Sequence, residues 1–420
     1  TTEIYTLSLH DALPILTGKV YSNFATWVGG LVGHNYNRLF FCHATGSVVG
    51  PGRGTGGLVG CNDGVDAMLA ACYATGSVAG GRDNTGGLVG ENDIAPIIAC
   101  YATGSVSGTA FAVGGLAGSN GGSICSCYAT GSVSGRGSTG GLVGENGGGV
   151  TSCYATGSVT GTDAVGGLMG YCEDGRLKYC FWDTVTSGKA YGIGYNKSSP
   201  GLTGKTTAEM QLLFTFTEAG WDFVDESVNG LHDYWQMPAN DYPRLAFYPW
   251  TLEGDGTSAN PYMVANPADL GKVWLRPSAC YRLNGNLNLA GISWSSAVVP
   301  FFAGNFNGQG YCISNLTINH PELDRVGLFG RIKTGGQLWD LGVDKVSITG
   351  RDYVGGLVGY NDYGSMTLCY ARGWVRGNDY AGGLVGRNYG TLTSCHSTGS
   401  VSGNDYAGGL AGECYGKLTF

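Results

Sequence analysis

Small apolar residues alternate with aromatic or polar ones in the phrase CYATGSV, which occurs with identical spelling at four places in the chain. The copies start at Cys72, Cys100, Cys127 and Cys153, so they are separated by 28, 27 and 26 residues. Successive side chains of a β-strand point to opposite faces. We therefore expect a strand in each copy, with Cys, Ala, Gly and Val facing an apolar interior and Tyr, Thr and Ser facing solvent.

A second phrase, GGLVG or a close variant, recurs with the same period. A period of this length is typical of solenoids, propellers and helical arrays. Helical repeats are excluded because glycine and β-branched residues dominate and no 3.6-residue apolar stripe is present. Propeller blades need about 40 to 50 residues each. The pattern therefore predicts an all-β chain, a parallel β-helix or β-solenoid with two stacked-coil arrays and small capping elements that contain short helices.

Residues at equivalent repeat positions should stack into ladders inside such a solenoid. The expected leucine anchors are Leu31, Leu58, Leu88, Leu116, Leu142, Leu168, Leu357, Leu384 and Leu410. The expected cysteine ladder comprises Cys42, Cys72, Cys100, Cys127, Cys153, Cys180, Cys369 and Cys395. Parallel thiols suit packing better than bridging, so we expect free cysteines. The glycines before each leucine are expected to permit a tight corner.

An asparagine follows most GGLVG phrases and predicts an inward ladder whose amides hydrogen-bond along the stack. Its members are Asn35, Asn62, Asn92, Asn120, Asn146, Asn361 and Asn388. The residue before each asparagine varies among His, Cys, Glu, Ser, Tyr and Arg. A position that accepts all of these is expected to face water.

Composition narrows the possible partners. The 420 residues include 77 glycines and are 43% hydrophobic, which allows a packed core and argues against disorder. Only 13% are charged, the formal net charge is -8, and no basic run is present to neutralise phosphates, so nucleic acid is excluded as a partner. No uninterrupted apolar stretch of about 18 residues exists to span a membrane.

Loss of the repeat marks the boundaries between segments. The phrase YTLSLHDALPI matches no repeat and resembles a translated sequencing adapter, so the true N-terminus is expected to be missing. A capping-box pair, Thr206 and Glu209, and the pair Asn266–Pro267 predict short helices between the arrays. The predicted segments are 1–15, non-native; 16–182, the first array; 183–250, its C-terminal cap; 251–325, the N-terminal cap and first strands of the second array; and 326–420, the second array, truncated within a repeat.

The repeated phrases GGLVGEN and GGLVGYN resemble the GLUG motif, and the intervening WDTVTSG, TTAEMQ and GWDF resemble the flanking segments of bacterial GLUG-repeat proteins. The resemblance covers nearly all of residues 16–420. It implies a right-handed parallel β-helix-like solenoid in a large secreted or cell-surface protein of adhesin-like type. It therefore implies an extracellular or cell-surface location. The family has no catalytic residue that can be transferred to this chain.

Polysaccharide lyases and glycosidases also adopt the parallel β-helix fold, so a catalytic function is one possibility. That chemistry needs carboxylates converging on one face or a metal-binding cluster. The recurring aspartates instead occupy variable turns, where turn chemistry explains them: Asp83, Asp163, Asp352, Asp379 and Asp405. The six histidines are scattered without metal-ligand spacing. We therefore expect no catalytic residue, no metal and no cofactor.

The outward rows are the candidate interaction site. The aromatic row comprises Tyr73, Tyr101, Tyr128, Tyr154 and Tyr370, and the threonine row beside it comprises Thr75, Thr103, Thr130 and Thr156. Repetition alone produces such rows. Alternatively, they form a binding strip for glycans or surface proteins, because tyrosine adds rigid amphipathic area at low entropic cost.

Three functions are compatible with these observations. The first is a non-enzymatic extracellular module, either adhesive or a spacer, in a large bacterial surface or secreted protein. The alternative is an accessory region of a larger extracellular enzyme, a peptidase or a polysaccharide-active protein, whose catalytic domain lies elsewhere. Ice binding by the Thr-x-Ser grid is disfavoured because bulky tyrosines beside the grid spoil its flatness.

Overall fold

The computed structural model describes residues 15–64, 66–173, 176–195, 199–224, 232–246, 252–294, 296–321 and 323–419. The predicted non-native segment 1–15 lies outside these residues except for Ile15, which pairs with His43. The described chain is an all-β solenoid of stacked parallel strands with four short α-helices. The predicted fold class is therefore confirmed.

The chain divides into two compact units. The first comprises Thr1–Trp221 and Met237–Leu245, and the second comprises Asp222–Gln236 and Ala246–Phe420. The segment predicted as the cap of the first array, 183–250, is thus shared between the units. Strands of 251–325 belong to the same ladders as the later repeats of the second array, because equivalent strands pair in parallel across that boundary.

In the described residues of the first unit, successive coils contribute short strands to five parallel ladders, one with eight strands and four with six. The tyrosine ladder contains Ile15–Leu16, His43–Ala44, Tyr73–Ala74, Tyr101–Ala102, Tyr128–Ala129, Tyr154–Ala155, Cys180–Asp183 and Leu202–Lys205. The valine ladder contains Val20–Tyr21, Val48–Gly50, Val78–Gly80, Val106–Gly108, Val133–Ser134 and Val159–Thr160.

The remaining three ladders complete the coil. The corner ladder contains Val28–Gly29, Thr55–Gly56, Thr85–Gly86, Val113–Gly114, Thr139–Gly140 and Val165–Gly166. The asparagine ladder contains Val32–Asn35, Val59–Asn62, Val89–Asn92, Ala117–Asn120, Val143–Asn146 and Met169–Cys172. The outer ladder contains Arg38–Phe40, Met68–Ala70, Pro96–Ile98, Ser123–Cys125, Gly149–Thr151 and Arg176–Lys178.

The described residues of the cap of the first unit form three short helices and one strand beyond the tyrosine ladder. They are α1 (Thr184–Ser187), α2 (Thr207–Met210), α3 (Leu213–Thr217) and the strand Arg244–Leu245. The predicted capping box is present in α2: the Glu209 amide donates to the Thr206 hydroxyl, and the Thr206 amide donates to the Glu209 carboxylate. Such reciprocal bonds satisfy the unpaired donors at a helix start.

The second unit begins with the strand Trp235–Gln236, α4 (Pro267–Gly271) and a 3₁₀ turn, Val273–Leu275. Asn266 caps α4 as predicted, accepting a hydrogen bond from the Asp269 amide. The first sheet contains Tyr262–Val264, Cys280–Leu283, Asn305–Asn307, Gln337–Trp339, Ser365–Thr367, Thr391–Thr393 and Lys417–Thr419.

Three further sheets close the coils of the second unit. The second sheet contains Leu287–Asn288, Ser293–Trp294, Cys312–Ser314, Thr317–Asn319, Gly342–Thr349, Tyr370–Arg376 and His396–Ser402. The third contains Val299–Phe302, Phe329–Ile332, Val358–Asn361, Val385–Asn388 and Ala411–Cys414. The fourth contains Asp352–Gly355, Asp379–Gly382 and Asp405–Gly408.

Except in the last coil of each array, the second glycine of the GGL phrase lies against the backbone of the next coil. A Cβ atom on Gly87 would come 2.0 Å from the carbonyl oxygen of Gly115, and one on Gly115 would come 2.1 Å from that of Gly141. These glycines do not have positive φ. The chain bends at the second glycine and the leucine, as at Gly87 and Leu88. The glycine is required there because the backbone of the next coil lies close to it, and not because φ is positive.

The corner before each ladder cysteine is made by other residue types in the left-handed conformation. The φ angle is 54° at Phe41, 52° at Ala71 and 50° at Ala99. Ser126, Ser152 and Tyr179 repeat this conformation in later coils. It costs a non-glycine residue roughly 1–2 kcal/mol, so hydrogen bonds and packing between coils must offset that cost in every turn.

Candidate functional site

The tyrosine ladder carries a continuous row of parallel rings. Centroids of neighbouring rings are 4.5 Å apart for His43 and Tyr73, 4.8 Å for Tyr73 and Tyr101, and 4.9 Å for Tyr101 and Tyr128. Tyr154 continues the row at 5.1 Å. The ring planes agree within 8°. The separation follows the spacing of strands within a sheet, so in-register stacking produces the row.

The far end of this row is covered by the cap. Tyr154 is 1% exposed and Tyr128 is 7% exposed. The Tyr154 hydroxyl donates a 2.5 Å hydrogen bond to the carbonyl of Pro243, and its ring packs near Trp221 and Tyr242. The expectation that both tyrosines face solvent is therefore wrong, because the cap folds over the last coils.

The outward positions nearer the start of the array are accessible. Tyr73 and Tyr101 are half-buried by their ring neighbours, and Thr75 and Thr103 are exposed. Burial raises the pKa of Tyr101 to about 12, so its phenol stays protonated at neutral pH. Thr130 is half-buried, whereas Thr156 is buried, and its carbonyl accepts a hydrogen bond from the Thr186 hydroxyl. The structure thus limits the predicted binding strip to its first two coils.

Tyr370 does not belong to this row. It lies in the second unit, where its ring stacks on His396 at 5.3 Å. The guanidinium of Arg372 lies 4.9 Å from the Tyr370 ring centroid. Neighbouring Cys312, which hydrogen-bonds to the phenol, raises the pKa of Tyr370 to about 12.

A buried carboxylate attaches the cap to the last coil of the first unit. Asp183 is the N-cap of α1 and accepts hydrogen bonds from the amides of Val185 and Thr186. Its second oxygen accepts from the hydroxyls of Thr207 and Tyr242 at 2.7 and 2.6 Å. Burial favours the neutral acid, but these four donors outweigh it and lower the pKa of Asp183. The carboxylate therefore stays ionised and serves a structural role.

The cysteines and leucines of the predicted ladders lie in the cores of the two units. Cys42, Cys72, Cys100, Cys127, Cys153, Cys180, Cys369 and Cys395 are free thiols and at most 7% exposed. Leu58, Leu88, Leu116, Leu142, Leu168, Leu357 and Leu384 are fully buried, and Leu31 and Leu410 are partly buried. Burial raises the pKa of Cys72, Cys100 and Cys153 well above the usual thiol range.

The asparagines form a hydrogen-bonded chain along the solenoid. The Nδ2 atom of each donates to the Oδ1 atom of the next, at 2.7 Å from Asn35 to Asn62 and 2.8 Å from Asn62 to Asn92. The chain continues through Asn120 and Asn146 and recurs between Asn361 and Asn388 at 2.7 Å. Each coil is thereby held in register with the next.

The position before each asparagine is less open to water than expected. Cys61 is only 4% exposed, and Glu91 and Arg387 are half-buried. Arg53 pairs with Glu91 at 2.7 Å, and Arg387 pairs with Glu413 at 2.5 Å. Stacking places these side chains between neighbouring coils, which shields them.

The second unit carries an aromatic and cationic face that sequence reasoning missed. Tyr353 and Tyr380 stack at 4.9 Å, and Tyr389 and Tyr415 stack at 5.0 Å. The guanidinium carbon of Arg387 lies 5.0 Å from the ring centroids of both Tyr380 and Tyr389. We call these five residues the tyrosine–arginine face. In the second array the dipeptide DY precedes each AGGL or VGGL phrase. This recurrence was the sequence signal available for Tyr353 and Tyr380.

The turn aspartates of the first unit have separate partners, whereas Asp352, Asp379 and Asp405 stack in one ladder of the second unit. Asp83 accepts a hydrogen bond from the Phe111 amide, and Asp163 accepts one from the Tyr195 hydroxyl. Burial and the neighbouring carboxylates Asp352 and Asp405 raise the pKa of Asp379. Across the described ranges, no group of three or more His, Cys, Asp or Glu side chains is arranged to hold a metal ion.

Comparisons with known proteins match the repeats. A family model described as the GLUG motif matches residues 350–376 and 377–402. Halomucin of Haloquadratum walsbyi is 32% identical over 148 residues, which is 32% of this chain and 2% of that protein. A protein of Evansella cellulosilytica named as a Gly-rich membrane protein is 35% identical over 123 residues, 26% of this chain and 14% of that protein. No solved structure gives a significant match.

The matched stretch thus spans only a small part of either relative's length. Among the helices that the structure describes, none combines the length and the apolar character needed to cross a membrane.

Proposed function

The chain is a GLUG-repeat β-solenoid protein, and from this premise we propose that it serves as a non-catalytic, surface-associated spacer within a larger secreted or cell-surface protein. The continuity of the asparagine chain supports this proposal, because side-chain bonds of 2.7–2.8 Å join every coil from Asn35 to Asn146. The name of the Gly-rich membrane relative supports a surface location. The length of both relatives supports a role as one part of a larger chain.

A spacer needs a length that does not depend on the rest of the protein. In a solenoid each repeat contacts only its neighbours, and each parallel coil adds about 4.8 Å along the axis. The interior of the first unit is filled by Leu, Val, Ala and Cys side chains. Coils can therefore be added without altering the packing of the others.

Coil duplication tests the spacer role. Three extra copies of residues 100–126, inserted after residue 126 of the complete chain, should lengthen the particle by about 14 Å. Small-angle X-ray scattering measures this change, and circular dichroism should show a proportional gain in β-structure. A flexible Gly/Ser insertion of equal length is the control, and it should add no β-structure. Coil copies that behave like the flexible insertion would contradict the proposal.

The proposed location has its own test. Protease added to intact cells that carry the full-length protein should release fragments containing this module. Lysed cells provide the control for total protein. Fragments that appear only after lysis would contradict a surface location.

Adhesion is a second candidate, with glycans or surface proteins as partners. The tyrosine–arginine face favours it, because half-buried rings beside a guanidinium are typical of interaction sites. Replacing Tyr380 and Tyr389 together by Ala should weaken attachment to a glycan array or a cell layer. The pair Tyr73→Ala and Tyr101→Ala tests the strip predicted from sequence. Unchanged attachment in both variants would leave only the spacer role.

The alternative of an accessory region in a larger extracellular enzyme, peptidase or polysaccharide-active, remains a separate hypothesis. It is decided by the complete reading frame, in which a catalytic domain beside the repeats would be recognisable. A frame that contains repeats and anchoring segments alone would exclude it.

A further inference from the structure

A groove of about 650 Å³ crosses the outer face of the second unit. Its floor is the second sheet of that unit, where the strands Thr317–Asn319, Gly342–Thr349 and Tyr370–Arg376 lie side by side. Small-molecule clefts in proteins typically measure 300–1,000 Å³. The groove is therefore large enough to hold a ligand of a few sugar rings.

Strand register arranges the side chains of the floor in two rows. Thr317, Ser347 and Trp374 form one row, and Asn319, Thr349 and Arg376 form the other. Alternate residues of a strand share a face, so both rows point away from the core. The buried residues between them, Ile318, Ile348 and Val375, belong to that core. The rows are held on a rigid sheet and not on loops.

Trp374 is the aromatic surface of the groove. It is 39% exposed. Serines, Ser347 and Ser400, occupy the equivalent position in the two neighbouring strands. An indole supplies a flat apolar face, and hydroxyl groups beside it both donate and accept hydrogen bonds. A sugar ring presents the complementary pattern, with C–H groups on its face and hydroxyls at its edge.

Arg376 is the one charged residue that lines the groove in the described part of the chain. Two other arginines of the unit are neutralised, since Arg331 pairs with Asp362 and Arg387 pairs with Glu413. Among described residues, no ion pair involves Arg376. A guanidinium fork without a carboxylate partner is suited to bind one from a ligand.

From these observations we propose that the groove binds an acidic glycan, a chain containing uronic acid, with one sugar ring on Trp374 and a carboxylate on Arg376. A peptide added as a strand needs an open sheet edge, whereas the floor presents a sheet face. A nucleic acid needs several cations for its phosphates, and the groove offers a single one. This binding site is independent of the spacer role, so either proposal can fail alone.

Calorimetric titration of the complete chain tests the proposal. Trigalacturonic acid is the probe, and its methyl ester, which keeps the rings and removes the charge, is the matched ligand. The acid should bind about tenfold more tightly than the ester at low salt, because the charge-assisted bonds to Arg376 are lost with the ester. The substitution Arg376→Gln should remove that difference. Equal affinities of the native chain for acid and ester would overturn the proposal.

Variants of the same strand separate the groove from the surrounding surface. Trp374→Ala should weaken binding of both ligands about tenfold, whereas Trp374→Phe, which keeps a ring, should retain most of the affinity. Arg372→Gln is the control, because Arg372 is exposed on this strand but does not line the groove. A loss in Arg372→Gln equal to that in Arg376→Gln would overturn the assignment. So would tighter binding of a sulfated trisaccharide than of the uronic acid, or no binding of the acid at about 1 mM.

Discussion

The phenol hydroxyl of Tyr242 donates a 2.6 Å hydrogen bond to the carboxylate of Asp183, 59 residues earlier in the chain. Asp183 ends the strand Cys180–Asp183 of the tyrosine ladder, and Tyr242 belongs to the segment that covers Tyr154. One buried carboxylate therefore joins the repetitive coils to their non-repetitive cap. The same contact explains why a row of equivalent tyrosines is only half-buried at one end and fully buried at the other.

Removing the Tyr242 hydroxyl should destabilise the first unit. Tyr242→Phe deletes a hydrogen bond to a charged group, and such bonds contribute about 1.5–3 kcal/mol. Urea unfolding followed by tryptophan fluorescence measures the loss. Tyr195→Phe is the matched control, because its exposed hydroxyl donates to Asp163 at 3.3 Å, and a surface change of this kind costs less than about 0.5 kcal/mol. Similar losses in both variants would contradict the role assigned to Asp183.

The stability supplied by Asp183 should depend on pH. Its folded pKa is lowered, so the carboxylate stabilises the fold at neutral pH. That contribution should begin to fall below about pH 4, where the unfolded carboxyl takes up a proton. It should be lost once the folded carboxyl is protonated as well. The free-energy difference between the native chain and Asp183→Asn should therefore shrink in acid. If the free-energy difference between the native chain and Asp183→Asn grew in acid, Asp183 would not be stabilising the fold as a carboxylate.

Adding one methyl group between coils should be poorly tolerated. The new Cβ of Gly115→Ala would lie 2.1 Å from the Gly141 carbonyl oxygen and 2.9 Å from the Ala129 Cβ. Backbone cannot move aside in a stacked array, so we expect a loss of at least about 3 kcal/mol or failure to fold. Gly149→Ala is the control, because no atom lies within 4 Å of its Cβ position. Thermal unfolding compares the two variants, and equal melting temperatures would show that the coils are not closely packed here.

The asparagine chain should contribute to the stability of the second unit. Asn361→Ala removes a 2.7 Å bond to Asn388 and a 3.0 Å bond from the Gly364 amide, leaving buried groups without partners. We expect a loss of about 2–4 kcal/mol in urea unfolding. Asn305→Ala removes an exposed 3.3 Å bond to Gln337 in the same unit, and should cost under about 0.5 kcal/mol. A loss for Asn361→Ala no larger than that of the control would contradict this account.

The ladder cysteines should be inert in the folded protein. Burial keeps a reagent away from every ladder cysteine, since none is more than 7% exposed. A raised pKa also keeps Cys72, Cys100 and Cys153 as unreactive thiols. Despite desolvation, hydrogen bonds from neighbouring ladder thiols lower the pKa of Cys127 and Cys395, so burial alone protects these two. Titration with a disulfide reagent should show a fast phase from exposed Cys414 and the half-buried cysteines outside the ladder. Cys414→Ser should reduce that phase by one thiol, and urea should release the remainder. Fast reaction of all fourteen cysteines in native buffer would contradict the buried ladder.

Much of the coil was predictable because each residue of a repeat meets its own equivalent in the next. The alternation in CYATGSV is enough to place Cys72 and Ala74 inside and Thr75 outside. The left-handed corners were not predictable, since Phe41, Ala71 and Ser126 share neither size nor chemistry. Stacking selects that conformation there, and no local propensity indicates it.

The candidate sites also combine features that the repeat predicts with features that only the stacking of coils produces. The DY repeat signalled the row Tyr353–Tyr380, but its partner Arg387 is brought beside it by the stacking of coils. The Trp374 groove had no sequence signal. The position of Trp374 is occupied by Ser347 in the preceding coil, so no repeated residue marks it. A ligand groove arises there from an irregularity in the repeat.

By itself, the sequence determined the period, the inward and outward faces, and the Cys, Leu and Asn ladders, because these depend only on a coil meeting a near copy of itself. The tertiary structure alone decided that the cap buries Tyr154 and that residues 222–236 belong with the second unit. Both outcomes depend on non-repetitive segments that contact distant residues, such as Pro243 on Tyr154 across 89 positions. No periodic pattern encodes contacts of that kind.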